Sequence, residues 1–125
     1  MSLVNFEEIT QDLNEQEMLY LNDITKYLEK LLSDRKFPTK QTDIIEQINY
    51  LLFSDHGVDS IRITTVRLRK YFNYMRTNGI LPIIATSDGC YISHDRTHIE
   101  KQILSLEQRA RQILRASEGM KRFLS

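Results

Sequence analysis

Apolar residues recur along the chain in blocks of distinct period. Met18, Leu21, Ile24, Tyr27, Leu28, Leu31 and Leu32 return at three- and four-residue spacing, which predicts an amphipathic helix over residues 15–33. Asn14 is its expected cap, with Glu15 and Glu17 in the first turn, where the helix dipole favours acids. After Pro38, Thr39 is placed to cap a second helix, whose face of Ile44, Ile45, Ile48, Leu51 and Leu52 runs to about Phe53. A polar linker over residues 54–60, with Gly57 as its turn residue, leads to a third helix over residues 64–78. Ile63 and Leu68 flank the Thr64 cap as a hydrophobic staple, and Leu68, Tyr71, Phe72 and Met75 form the inner face. Asn78-Gly79 stops this helix. Two short runs, residues 81–86 and 90–93, then flank a Ser87-Asp88-Gly89 turn in which Gly89 can take positive φ, as a hairpin requires. Ile84 and Ile92 are the expected contacts of the hairpin with the helices, and Phe37 is a candidate for a short strand beside it.

The last block has a different period. Behind an Asp95 cap, Ile99, Ile103, Leu106, Ala110, Ile113, Ser117, Met120 and Leu124 alternate spacings of four and three, a heptad seam. A helix this long extends about 44 Å at roughly 1.5 Å per residue, more than a small domain needs. The expected fold is mainly α: a winged helix-turn-helix, three helices plus a β-hairpin wing, with a long C-terminal helix. It divides into an N-terminal arm (1–13), a winged-helix domain (14–94) and a C-terminal dimerisation helix (95–125). Ile99, Ile103 and Leu106 are expected to pack back on residues 15–33. Ile103, Leu106, Ala110, Ile113, Met120 and Leu124 supply the seam for a homodimer.

Charge adds function to this outline. Lys and Arg number 17, as do Asp and Glu, but they are segregated. Residues 1–34 carry eight acids against Lys26 and Lys30, whereas residues 60–87 carry Arg62, Arg67, Arg69, Lys70 and Arg76 and no acid. A polyanion responds to such a local field rather than to net charge. On the third helix Val66, Arg69, Lys70, Asn73 and Thr77 are expected to face outwards, flanked by Arg67 and Tyr74 on one side and Thr65 and Arg76 on the other. Arg62, Thr65, Arg67, Arg69, Lys70, Asn73 and Arg76 are thus the candidate DNA-binding residues. Arg69, Lys70 and Asn73 would reach bases, and Arg62, Thr65 and Arg76 phosphates.

Other chemistry is thin. Cys90, His94 and His98 lie four apart but lack a fourth ligand, so no metal is expected and Cys90 reads as a small core residue. There is no glycine-rich phosphate loop, zinc-spaced His pair or nucleophile elbow, so neither an enzyme nor a cofactor is expected. The lone cysteine, the absence of an apolar run of bilayer length and a start lacking a secretory signal pattern point to the cytoplasm of a bacterial cell or a phage-infected host.

The run Arg67-Leu-Arg-Lys-x-x-Asn73-x-Met-Arg76-x-Asn-Gly79-x-Leu-Pro82-x-Ile-Ala-Thr-Ser87-x-Gly89-x-Tyr91-x-Ser resembles a group of small winged-helix proteins encoded by phages and prophages. In these, a basic helix with an Arg-x-Asn-Gly-like corner leads into an Ala-Thr-Ser-x-Gly-Tyr-Tyr wing, followed by a Ser-Leu-x-x-Arg-Ala element, matched here by Ser105-Leu-Glu-Gln-Arg109-Ala110. The resemblance covers residues 37–115. It implies a DNA-binding, regulatory fold with residues 64–78 as recognition helix and residues 87–89 as wing tip. Two departures bear on the wing: Cys90 replaces the first aromatic after the wing glycine, and Asp88 puts an acid at the tip. The expected function is therefore double-stranded DNA binding by a dimeric transcriptional regulator. The alternative is a protein-interaction module that uses the same scaffold to modulate a host complex.

Overall fold

The computed structural model describes residues 11–33 and 38–124. Within them run α1 (Glu15–Leu19), α2 (Leu21–Leu32), α3 (Gln41–His56), α4 (Thr65–Thr77), β1 (Ile83–Thr86), β2 (Gly89–Ile92) and α5 (Arg96–Lys121), ending in a 3-10 turn, Arg122–Leu124. The chain divides into two compact units, Met1–Ser93 and His94–Ser125.

The first unit is built around stripes that repeat every fourth residue. Ile24, Leu28 and Leu32 of α2 meet Ile44, Ile48 and Leu52 of α3, and all six are fully buried. Leu68, Tyr71, Phe72 and Met75 of α4 close the core from a third side, and Ile83, Cys90 and Ile92 add the hairpin to it. The arrangement is winged-helix-like: α3 and α4 form the helix-turn-helix, and the antiparallel hairpin follows it as the wing. Strand register pairs Ile83 with Ile92 and Thr86 with Gly89.

Several expectations are corrected. The first helix is not continuous: it breaks at Tyr20, and the Glu17 carbonyl accepts from both the Tyr20 N–H (3.2 Å) and the Tyr71 hydroxyl (2.7 Å). The second helix runs past Phe53 to His56, absorbing half of the expected linker. Its last turn is tied sideways to α2, with the Tyr27 hydroxyl on the Asp55 carboxylate and His56 Nε2 2.8 Å from Asp23 Oδ2. Lys40, not Thr39, is the N-cap of α3. Thr39 instead makes both hydrogen bonds of an antiparallel bridge to Cys90, each 2.8 Å, and so adds one rung of a third strand. Phe37, the residue expected in that position, lies outside the described residues. Ile84 is buried but outside the core cluster, on the opposite face of the hairpin from Ile83.

In the second unit, Asp95 caps α5 by accepting from the Thr97 N–H at 2.8 Å. Ile103 and Leu106, on the heptad seam of α5, are exposed. Gln102 is the only buried residue of α5 among the described residues.

The third-strand rung makes Gly89 a structural requirement. Gly89 has φ 137°, and a Cβ built there would stand 2.3 Å from the Thr39 carbonyl oxygen. Gly57 also has positive φ (81°), but nothing lies within 4 Å of its Cβ position. Gly57→Ala is expected to cost about 1 kcal/mol of backbone strain, and Gly89→Ala roughly 3 kcal/mol, because the Thr39 rung must also open. Urea denaturation checks this: the two midpoints should fall in that order with unchanged slope.

Candidate nucleic-acid interface

Helix α4 is fixed at both ends. At its start, the Asn49 carboxamide on α3 grips the backbone of Ile63: Ile63 N–H donates to Oδ1 (2.8 Å) and Nδ2 donates to the Ile63 carbonyl (3.0 Å). Thr64 then caps the helix, its Oγ1 accepting from Arg67 N–H at 3.2 Å. At the other end Gly79 takes φ 63°, and two bonds, Gly79 N–H to Arg76 O (3.2 Å) and Ile80 N–H to Met75 O (2.8 Å), close a Schellman motif. Arg76 Nε donates to the Ile83 carbonyl at 3.1 Å and ties the helix to the wing.

The middle of α4 is held by an acid. Glu17 of α1 is only 1 % exposed, and its carboxylate lies 2.5 Å from Lys70 Nζ and 3.1 Å from Arg67 Nε. The Asn14 N–H donates to the same carboxylate at 2.9 Å, and the Glu17 N–H donates back to Asn14 Oδ1, a reciprocal capping box. Burial alone would raise the Glu17 pKa, but Lys70, the Asn14 N–H and Arg67 together outweigh it and hold the carboxyl below its ordinary range. Tyr71, the residue after Lys70, donates to the Glu17 carbonyl, its own pKa pushed up first by burial and then by the Glu17 charge.

This arrangement redistributes the residues expected to bind DNA. Lys70 was placed on the outward face; it is 8 % exposed, because its amine reaches the buried carboxylate instead of solvent. Arg67 is half-buried, with Nε on Glu17 and Nη1 donating to the Arg62 carbonyl at 2.9 Å. Arg76 is also half-buried, turned to the wing backbone. Arg62, Thr65, Arg69 and Asn73 are exposed. Thr65, Arg69, Asn73 and Thr77 recur every fourth residue, so they line one outward stripe, with the exposed Val66 beside it. No Asp or Glu occurs between Asp59 and Asp88. Asn49 escaped the sequence reading, as did the partners of Glu17 and Thr39. For Glu17 a signal existed: with Leu21, Ile24 and Leu28 it follows the four-three-four spacing of the buried stripe, and it stands three residues after the cap.

Elsewhere the chemistry is plain. A groove between α2 and α3 is lined by Lys30, Leu31, Asp43, Glu46, Gln47 and Tyr50, two acids against one base, which does not favour a polyanion. Among the described residues no group of three or more His, Cys, Asp or Glu is gathered for a metal ion. Cys90 is buried, and burial pushes its thiol up. No protein-family model, curated protein or solved structure matches the chain. The geometry therefore defines a class, a winged-helix-like module of the kind that binds DNA or protein, and nothing narrower.

Glu17 sets a pH dependence. Its folded pKa is depressed, so its contribution is complete above the ordinary carboxylate range and is lost as pH falls through the folded value. Glu17→Gln, which leaves the Lys70 amine buried without its counter-charge, is expected to lower stability at pH 7 by about 2–4 kcal/mol. Denaturant midpoints of wild type and variant should draw together progressively as pH falls below the ordinary carboxylate range; a gap independent of pH would contradict the assignment.

Proposed function

We propose that the chain binds double-stranded DNA through the outward stripe of α4, as a transcriptional regulator of the kind phages and prophages encode. The observation that carries this reading is the stripe itself. A helix in the second position of a helix-turn-helix, anchored at start, middle and end, presents Arg69 and Asn73 outwards across an acid-free stretch of chain. Arginine pairs with guanine, and asparagine with adenine, through two hydrogen bonds each, so Arg69 and Asn73 are the base readers. Arg62 and Thr65, at the start of the helix, hold phosphates. Arg67, Lys70 and Arg76 act mainly as positioning residues, since Glu17 and the Ile83 carbonyl take up their donors. The wing, with Asp88 at its exposed tip, serves chiefly in packing. The role is non-catalytic and calls for no cofactor. It fits a cytoplasmic setting, and no helix among the described residues is long and apolar enough to cross a membrane.

The regulator works as a homodimer joined through α5. Ile103, Leu106, Ala110, Ile113 and Met120 on this helix and Leu124 just after it are all exposed, as a seam awaiting a partner requires. The same exposure favours the second reading, a module whose α5 docks a host protein, and Leu104, Leu114 and Phe123 widen the apolar surface available to it.

Fluorescence anisotropy on a pool of random duplexes, followed by selected sites, tests the DNA reading. About four neutralised phosphates per dimer, two from each copy, imply roughly a hundredfold loss of affinity between about 50 and 200 mM salt. Arg69→Ala and Asn73→Ala should each cost about 1–3 kcal/mol on a selected site and little on random DNA. Binding insensitive to salt and to both substitutions would sink the reading. Light scattering should give twice the monomer mass, and Ile113→Lys should return it to one; a monomeric wild type that captures a protein through α5 would favour the second reading.

A further inference from the structure

We infer that two copies of this chain pair through α5 in antiparallel orientation, with Ala110 of one copy level with Ile113 of the other. The inference rests on the dimer reading above and adds the direction and register of the pair. It starts from the sizes of the seam residues. Ile103, Leu106, Ala110, Ile113, Ser117 and Met120 are all exposed on α5. In a parallel pair each seam residue faces its own copy, so Ala110 would meet Ala110 and Ser117 would meet Ser117, leaving two of six layers nearly empty. In an antiparallel pair centred between residues 111 and 112, Ile103 faces Met120, Leu106 faces Ser117 and Ala110 faces Ile113, each layer occurring twice. Every small residue then meets a large one, the alternation that fills a helix interface without voids.

Charge selects the same direction. From Arg109 to Leu124 the helix and its terminal turn carry Arg109, Arg111, Arg115, Lys121 and Arg122 against the single acid Glu118. From Asp95 to Gln108 three acids, Asp95, Glu100 and Glu107, stand against Arg96 and Lys101. Parallel pairing sets the two strongly basic halves side by side and brings Asp95 towards Glu100 of the other copy. Antiparallel pairing lays each basic half along an acid-bearing half and sets Glu100 beside Lys121 of the other copy at both ends. The two helix dipoles are then opposed as well, which is the favourable arrangement.

Spin labels decide the direction in the full chain. Lys101 is exposed on the outer side of the seam, and Cys90, buried with its thiol pushed up, can remain in place. With antiparallel pairing, Lys101 of one copy lies level with Arg122 of the other. Two labels on Lys101→Cys are then separated by about 30 Å along the axis, to which the width of the pair adds laterally. With parallel pairing they stand level and only the width, roughly 20 Å, separates them. Pulsed dipolar spectroscopy should give the long distance for Lys101→Cys alone and for Arg122→Cys alone, and a short one when the two variants are mixed. A short distance for Lys101→Cys alone overturns the direction while leaving the dimer standing. A chain that remains monomeric at the labelling concentration overturns both. DNA binding bears on neither result.

Discussion

A single buried carboxylate organises the α4 side of the first unit. Glu17 sits between Lys70 and Arg67, some fifty residues away in sequence, and joins the start of the described chain to the middle of α4. An ion pair of this kind is not a strong net stabiliser, because desolvation offsets most of its attraction, but losing one partner is costly. Its effect is therefore positional. Beside the carboxylate, the Glu17 carbonyl meets the Tyr71 hydroxyl, the helix breaks at Tyr20, and α2 starts afresh to carry Ile24, Leu28 and Leu32 into the core. The outward stripe of α4 follows from the same contact: with Arg67 and Lys70 held inwards, Thr65, Arg69, Asn73 and Thr77 are left to face solvent.

The anchors along α4 are spread over its whole length and drawn from different elements. Asn49 comes from α3, Glu17 from α1 and the Ile83 carbonyl from β1, while Gly79 shapes the corner into the wing. A helix held at so many points loses little freedom when it docks, so more of the contact energy remains for recognition. The hairpin contributes to this rigidity. A two-stranded hairpin is marginal alone, and the Thr39 rung together with Ile83, Cys90 and Ile92 in the core supplies what it lacks.

Much of this was legible in the sequence where the cause is local or periodic. The stripes of α2, α3 and α4 follow from the 3.6-residue repeat, and the caps Asn14, Thr64 and Asp95 from side chains that accept from the next turn. The hairpin turn was marked by Gly89, although the close approach of Thr39, which makes the glycine indispensable, was not. What escaped are partnerships across the chain. Helical spacing sets Lys70 on the face opposite Leu68, Tyr71 and Met75, and only the distant Glu17 draws it inwards. The last turn of α3 looked like a linker because Asp55 and His56 are polar. Their partners Tyr27 and Asp23 lie some thirty residues earlier, and no local pattern reports them. In each case a polar side chain read as solvated belongs to a pair.

That correction changes the electrostatics of the proposed DNA reader. Of the five bases in residues 60–87, Lys70 and Arg67 are engaged by Glu17 and Arg76 by the wing, leaving Arg62 and Arg69 as the fully exposed cations of the stretch. Two cations neutralise too few phosphates for tight binding by one unit, since non-specific affinity scales with the number of counterions released. In the proposed dimer a second reading head would compensate, because the second contact becomes intramolecular and is governed by effective concentration. On the proposed reading, the seam on α5 and the sparse charge on α4 bear on one another: a recognition helix that commits its own lysine to the fold would need a second copy to hold DNA.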